Sequence, residues 1–514
     1  MGGVMYRLLS IIKDTYVTNK QVAGSGSITS NVGQAGTLDL FKIWTQITSR
    51  STPTVEKSRV LLQVNFPALQ ALTGTVLDIN NASFKCYLSL VDVYGGQTTP
   101  SNFTLSLVPL SRSWDEGRGS DVIAFRDLDS ANWVTASVTS GTPTAWAVTG
   151  ADGAGTDYLS GYEVQQTFSR GDENLLMDVT TLVSATLVGI LPDRGWRLSY
   201  SSSLEQNESS YFVKRFGSRH TLNPLLHPKL ILKFDDYLQN DGNQALFGQS
   251  NTIRTYNKVR GQYAYFVSGS TSITGSNSLK LVLVASKSIN ITTSSWQQNF
   301  SASITYTTQS ISYFSQSFTA SLSSLGSVPL IGYYYALVNL NPQTTSSLAT
   351  FLSGSKSAVF QSYWTSLDGT ILFSSGTWLT FSLPETGESV GAERNFVVNV
   401  TNLKPEYVQD QTVRFKVFIQ ERNTELPAFH IPQPTKSLIL NNMSWRLVNA
   451  FSRAVVIPFD STYTRLSSDG MGMYFDMYMS DLAPQTVYEI EFQVNENGRD
   501  YFICNEGIRF KVVP

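Results

Sequence analysis

Residues able to do chemistry are sparse in this sequence. Its 514 residues contain three histidines and two cysteines. His220, His227 and His430 show no HxH or HExxH spacing, and Cys86 and Cys504 are too far apart to form a CxxC pair. A structural zinc motif and a disulfide framework are therefore not expected as organising principles. Two buried free thiols are the simplest reading of Cys86 and Cys504, with a single bridge as the alternative. No G-x-S-x-G elbow, Walker A loop or dinucleotide-binding glycine loop is present. The chain reads as a non-enzyme without a cofactor or metal.

Four clusters still merit placement. Trp114-Asp115-Glu116-Gly-Arg118 sets two acids beside a ring, the elements of a glycosidase site. Its plainer reading is a turn whose acids pair with Arg112 or Arg118. Gly150 to Asp157 looks like a calcium loop, but it lacks the EF-hand spacing, so Asp152 and Asp157 read as turn residues. Lys214, Arg215, Arg219 and His220 could hold an anion or form a basic rim. Trp114, Trp133, Trp146 and Trp196 are the candidate glycan platforms, with core packing as the alternative.

The elements that must position these residues are strands. Lys+Arg number 37 against 39 Asp+Glu, and charged residues make up only 15%. A near-neutral chain lacks the electrostatic footprint of a nucleic-acid binder. Low charge with 12% aromatics and abundant Ser and Thr suits sheet better than helix. Ser83 to Val93 and Asn102 to Leu110 alternate apolar and polar residues, as half-buried antiparallel strands do. No apolar run reaches the ~18 residues of a membrane span, and the start of the chain is a poor signal peptide. The fold class is all-β, as serial antiparallel β-sandwich domains.

The polar stretch 239–250 reads as a linker and 427–434, with three prolines, as a stiff connector. They divide the chain into a first sandwich (13–238), a Ser/Thr-rich β-sandwich region (251–426) and a small last domain (435–514). In the last domain, Leu482-Ala-Pro-Gln-Thr-Val-Tyr488 has the pattern of a tyrosine corner, which marks an immunoglobulin- or fibronectin-III-like sandwich. Leu403-Lys-Pro-Glu-Tyr407 is a looser echo in the middle region. Residues 1–12 are either a first strand or an apolar arm, with Met5, Tyr6, Leu8, Leu9, Ile11 and Ile12 docking on a neighbour.

The order of motifs in the first domain carries a resemblance. Asp14-Thr-Tyr-Val, Asn31-Val-Gly, Ser58-Arg-Val-Leu-Leu, Trp114-Asp-Glu-Gly, Met177-Asp-Val-Thr-Thr-Leu-Val, Gly195-Trp-Arg, Phe216-Gly-Ser-Arg-His and His227-Pro-Lys-Leu-Ile-Leu succeed one another. This succession resembles the DNRLRE-type β-sandwich domains, which are related to carbohydrate-binding modules. The resemblance implies that these residues mainly build the sandwich. Asn31 to Lys42, Trp364-Thr-Ser-Leu-Asp-Gly-Thr and Leu466 to Phe475 also look like virion structural proteins of tailed bacteriophages. That likeness implies a particle component of the tail, baseplate, neck or capsid surface, located in the virion. Its partners would be other virion proteins and symmetry-related copies of itself. The alternative is a carbohydrate-binding protein. No nucleic acid or membrane span is expected.

Overall fold

The computed structural model describes residues 6–22, 25–26, 28–45, 54–73, 77–95, 99–122, 130–242, 244–286, 306–308, 311–383, 395–422, 437–469, 471–496, 499–503 and 507–514. The chain is all-β, as its composition requires, and folds as three strand domains in series.

The first domain is one branched ten-stranded system. Its main path runs Val164–Phe168, Phe103–Pro109, Trp196–Tyr200, Thr54–Val64, Tyr6–Thr18, Lys229–Lys233, Lys85–Leu90, Leu175–Asp178. The first strand, Tyr6–Thr18, turns the corner of the sandwich. Residues 6–10 pair with Lys229–Lys233 and residues 11–18 with Thr54–Val64, with a register shift between Ile11 and Lys13. Such an irregularity bends a strand and lets it serve two sheets. A strand covered on both faces reads as a nearly continuous apolar run rather than an alternation. That explains the apolar start of the sequence.

Among the described residues, the middle domain is an eight-stranded sheet with two small two-stranded hairpins beside it, Lys258–Val259 with Gln262–Tyr263 and Val267–Ser268 with Thr271–Ser272. One face curls around one core, which holds Ile253, Leu281, Leu283, Tyr334, Phe360, Trp364 and Phe381, and the helix Ser346–Leu352 closes it with Leu348, Phe351 and Leu352. The strand Val328–Val338 keeps strict alternation, with Leu330, Tyr334, Ala336 and Val338 inside and Ile331 and Leu337 outside.

The third domain is a two-sheet sandwich. One sheet runs Phe396–Val400, Thr412–Glu421, Gly472–Tyr478, Ser467–Asp469, and the other Glu406–Val408, Arg509–Val513, Thr486–Glu496, Met443–Asn449, Val455–Ile457. Here the structure corrects the expected boundary. Residues 427–434 lie outside the described residues, but the strands on both sides belong to one sandwich: Thr412–Glu421 pairs with Gly472–Tyr478. The domain therefore starts near Phe396. The prolines mislead because they mark a connection between strands as readily as a connection between domains.

The same correction moves the two tyrosine motifs into one domain. The Tyr488 hydroxyl accepts from the Ala483 N–H at 2.9 Å, and the Tyr407 hydroxyl accepts from the Lys404 N–H at 2.8 Å. Both rings flank Phe510, at centroid distances of 5.9 and 5.5 Å. They are two corners of one sandwich.

The arm residues are also corrected. Tyr6 and Leu8 pack into the core of the third domain, while Leu9 and Ile11 pack into that of the first. Among these residues only Ile12, at 42%, is exposed, and Met5 lies outside the described residues. The apolar surface expected to meet a neighbour is covered within the chain.

Candidate functional site

Several of the motifs that follow one another in the first domain converge in space on Glu116. The Asp14 N–H donates to Glu116 Oε1 at 2.8 Å. Arg219 grips the same carboxylate with two bonds, Nε to Oε1 at 2.7 Å and Nη2 to Oε2 at 2.5 Å. The Arg219 backbone N–H donates to Asp14 Oδ2 at 2.6 Å. Asn31 Nδ2 donates to the carbonyls of Glu116 and Ala131, at 2.8 and 2.7 Å, while its Oδ1 accepts from the Gly33 and Gly119 N–H groups. His220 Nε2 lies 3.6 Å from Glu116 Oε1.

Close backbone approach explains the glycines in these motifs. A Cβ on Gly33 would sit 2.0 Å from the Glu116 carbonyl oxygen, and one on Gly119 would sit 1.7 Å from that of Asn31. Both contacts are far inside van der Waals range.

Asp14 is 1% exposed. Burial pushes its carboxyl up to about 7, against the opposing hydrogen bond from Arg219, and the Glu116 charge adds to the rise. Burial pulls the His220 imidazole down, and the Arg219 charge pulls it further. Asp14 Oδ1 and His220 Nε2 are both buried without a hydrogen-bond partner. The node thus holds two carboxylates, an imidazole and a guanidinium, with one carboxylate oxygen and one ring nitrogen unsatisfied. Asp14, Glu116 and His220 present ligand atoms that all lie within 4.8 Å of one another.

The other sequence candidates are placed differently. Asp115 caps no local turn but accepts from the N–H of Val138, in the strand Thr135–Thr139, at 2.9 Å, whereas Glu116 pairs with Arg219 rather than with Arg112 or Arg118. The Gly150–Asp157 loop is held by its own protein cations. Arg59 reaches Asp152 Oδ2 at 2.8 Å and the Gly150 carbonyl at 2.7 Å, and Arg197 reaches Asp152 Oδ1 at 3.0 Å. Asp157 accepts from the N–H groups of Ala147, Val148 and Gly153. Arginines thus satisfy carboxylates that a calcium ion would otherwise need. Lys214 and Arg215 form no anion cradle, because they pair with Asp92 and Asp39.

All four candidate glycan tryptophans are buried: Trp114, Trp133, Trp146 and Trp196 are 7% exposed or less. Trp114 Nε1 donates to the Arg194 carbonyl and Trp146 Nε1 to that of Asn132. A ring packed on both faces cannot stack on a sugar, so these residues are core residues. Cys86 is a buried free thiol, and Cys504 lies outside the described residues.

A cavity of about 500 Å³ lies between the middle and third domains, lined by Arg254, Tyr256, Tyr333, Ser374, Asp469 and Tyr474 among others. Tyr256 is 61% exposed and belongs to a cluster with Tyr263 and Tyr333. Sequence reasoning missed it, because it looked for tryptophans in the first domain. The repeated tyrosines of Tyr333-Tyr-Tyr were the available signal.

No known family profile matches the chain, and no curated protein matches it. Among solved structures, fibronectin(III)-like modules of Clostridium thermocellum CbhA align at 6% identity and a TM-score of 0.14, over 54% of this chain and 90% of that one. Escherichia coli alpha-2-macroglobulin activated by porcine elastase aligns at 8% identity and a TM-score of 0.16, over 99% of this chain and 44% of that one. Scores this low specify neither a shared topology nor a shared activity.

Proposed function

We propose that this chain is a structural component of a tailed-bacteriophage particle that works through assembly contacts with copies of itself and with other virion proteins. The supporting observation is how the three domains are tied together. The third domain takes Tyr6 and Leu8 into its core, and Arg7 forms a two-bond pair with Asp481. Lys233 reaches Asp460 at 3.1 Å, and the Tyr463 hydroxyl donates to the Ser83 carbonyl at 2.9 Å. The stretch after the first domain is pinned as well: Ser468 N–H donates to the Leu238 carbonyl, and Asn240 N–H to Ser468 Oγ, both at 2.9 Å. Asp78 accepts from the Ser327 N–H across the first and middle domains. Polar groups spent on such junctions, several of them partly or fully buried, hold a fixed shape, which suits a building block. Phe451, at 83%, and Met471, at 81%, offer apolar side chains for contacts between copies.

The test is mass spectrometry of gradient-purified particles from the source lysate. A constant copy number is expected, with a small multiple of three or six placing the chain in the tail and hundreds of copies placing it on the capsid surface. Absence from intact particles would sink the proposal.

The cavity at Tyr256 favours a second reading, glycan binding. The exposed Tyr256 ring beside serine hydroxyls, a carboxylate and a guanidinium provides stacking and hydrogen bonds together. A glycan array probed with the wild type and with Tyr256→Ala tests it. Hits that vanish in the variant support this reading, and an array blank for both removes it.

A further inference from the structure

Two orphaned atoms at the Glu116 node need a common explanation. Asp14 Oδ1 and His220 Nε2 are both buried and both lack a hydrogen-bond partner, and Asp14, Glu116 and His220 each offer a ligand atom within 4.8 Å of the other two. Arg219 and the Asp14 N–H take up the Glu116 carboxylate, but neither reaches these two atoms. A ring nitrogen facing carboxylate oxygens calls for a positive centre between them, either a proton on the nitrogen or a bound cation.

We propose that Asp14, Glu116 and His220 form a binding site for a divalent transition-metal ion, with Zn²⁺ the best match. Asp14 Oδ1, Glu116 Oε1 and His220 Nε2 are the protein ligands, and water completes the coordination. The separation of 3.6 Å between His220 Nε2 and Glu116 Oε1 is close to one edge of a tetrahedron with ligands about 2.0–2.2 Å from the metal. One nitrogen and two carboxylate oxygens suit Zn²⁺ better than Ca²⁺, which takes 6–8 oxygens, or Mg²⁺, which keeps most of its waters. The surroundings have the partners that orient ligands in metal sites. Arg219 fixes the Glu116 carboxylate with two bonds, and its backbone N–H holds the other Asp14 oxygen. The site ties the first strand to segments about 100 and 200 residues further along, so an ion there is a structural staple.

The experiment uses the full chain, stripped with EDTA and dialysed, then titrated calorimetrically with Zn²⁺, Mg²⁺ and Ca²⁺. One equivalent of Zn²⁺ is expected, with a rise in melting temperature and the visible bands of tetrahedral Co²⁺ on substitution. His220→Gln and Asp14→Asn should each weaken binding by at least about tenfold, the loss that even outer-shell changes produce. His227→Gln is the control and should bind like the wild type. No Zn²⁺ uptake by the wild type would overturn the proposal and leave a proton or a water between Asp14 and His220. Equal uptake by His220→Gln and Asp14→Asn, or loss in the His227 variant, would overturn it too. Should the node variants fail to fold, the wild-type stoichiometry and Co²⁺ spectrum decide alone.

Discussion

Arg7 and Asp481 stand 474 positions apart and form a two-bond ion pair, Nε to Oδ2 at 3.0 Å and Nη2 to Oδ1 at 2.8 Å. Both side chains are less than a tenth exposed, the Leu8 N–H adds a third bond to Asp481, and the guanidinium lies 3.7 Å from the Tyr478 ring centre. Removing one partner strands the other charge. Arg7→Ala should cost about 3–5 kcal/mol, whereas replacing both partners with apolar residues should cost much less. Urea denaturation of the two single variants and the double variant measures this. Additive losses would refute the coupling.

Gly119 tests the close packing of the node. A methyl group there meets the Asn31 carbonyl oxygen at 1.7 Å, and backbone cannot swing aside as a side chain can. Gly119→Ala should destabilise the chain by about 2–4 kcal/mol and lower its melting temperature. Gly36 has open space around its Cβ position, so Gly36→Ala is the matched control and should stay within about 1 kcal/mol of the wild type.

The two tyrosine corners make separate contributions. Tyr488→Phe and Tyr407→Phe each keep the ring and remove the hydroxyl that accepts a backbone N–H. Each should cost about 1–2 kcal/mol, read from the denaturation midpoint. A loss confined to Tyr488 would mean that only one corner matters for stability.

Asp236 makes stability fall as pH rises. Its carboxyl is fully buried beside the Asp476–Arg414 pair, and both oxygens lack hydrogen-bond partners. Burial drives its pKa well above 3.8, the Asp476 and Asp235 charges add to the rise, and Arg414 opposes it; Tyr474 and Tyr478 face it as well. The folded state therefore holds a proton that the unfolded chain gives up. The stabilisation is complete below the unfolded pKa and is lost as pH climbs through the folded one, by up to about 1.4 kcal/mol per pH unit. Asp236→Asn should flatten that decline in urea titrations. Identical pH profiles for the two proteins would refute this account.

Much of the fold is legible in residue pattern, because alternation and low charge state the strand period directly. The turn prolines at Pro405 and Pro484 sit where a tyrosine hydroxyl bonds back, and that motif reads from sequence alone because its parts lie within a few residues. The node around Glu116 does not read that way. Its members lie about 100 and 200 residues apart, and an ordered list of motifs does not say that its items meet. The tryptophans failed as site residues for a related reason. Sequence shows that a ring is present but not which of its faces stays free, and a sandwich interior takes large rings first. The cavity at Tyr256 depends on the placement of two domains, which no local pattern encodes.

The strand Tyr6–Thr18 completes a core whose other members begin near residue 396. Synthesis therefore makes the first strand long before the cover for Tyr6 and Leu8 exists. A chain that stops early carries those side chains uncovered, together with an Arg7 that has no Asp481. Those side chains are covered only once the residues from 396 onward have folded around them, so the fold itself exposes apolar surface in any chain that stops short of them.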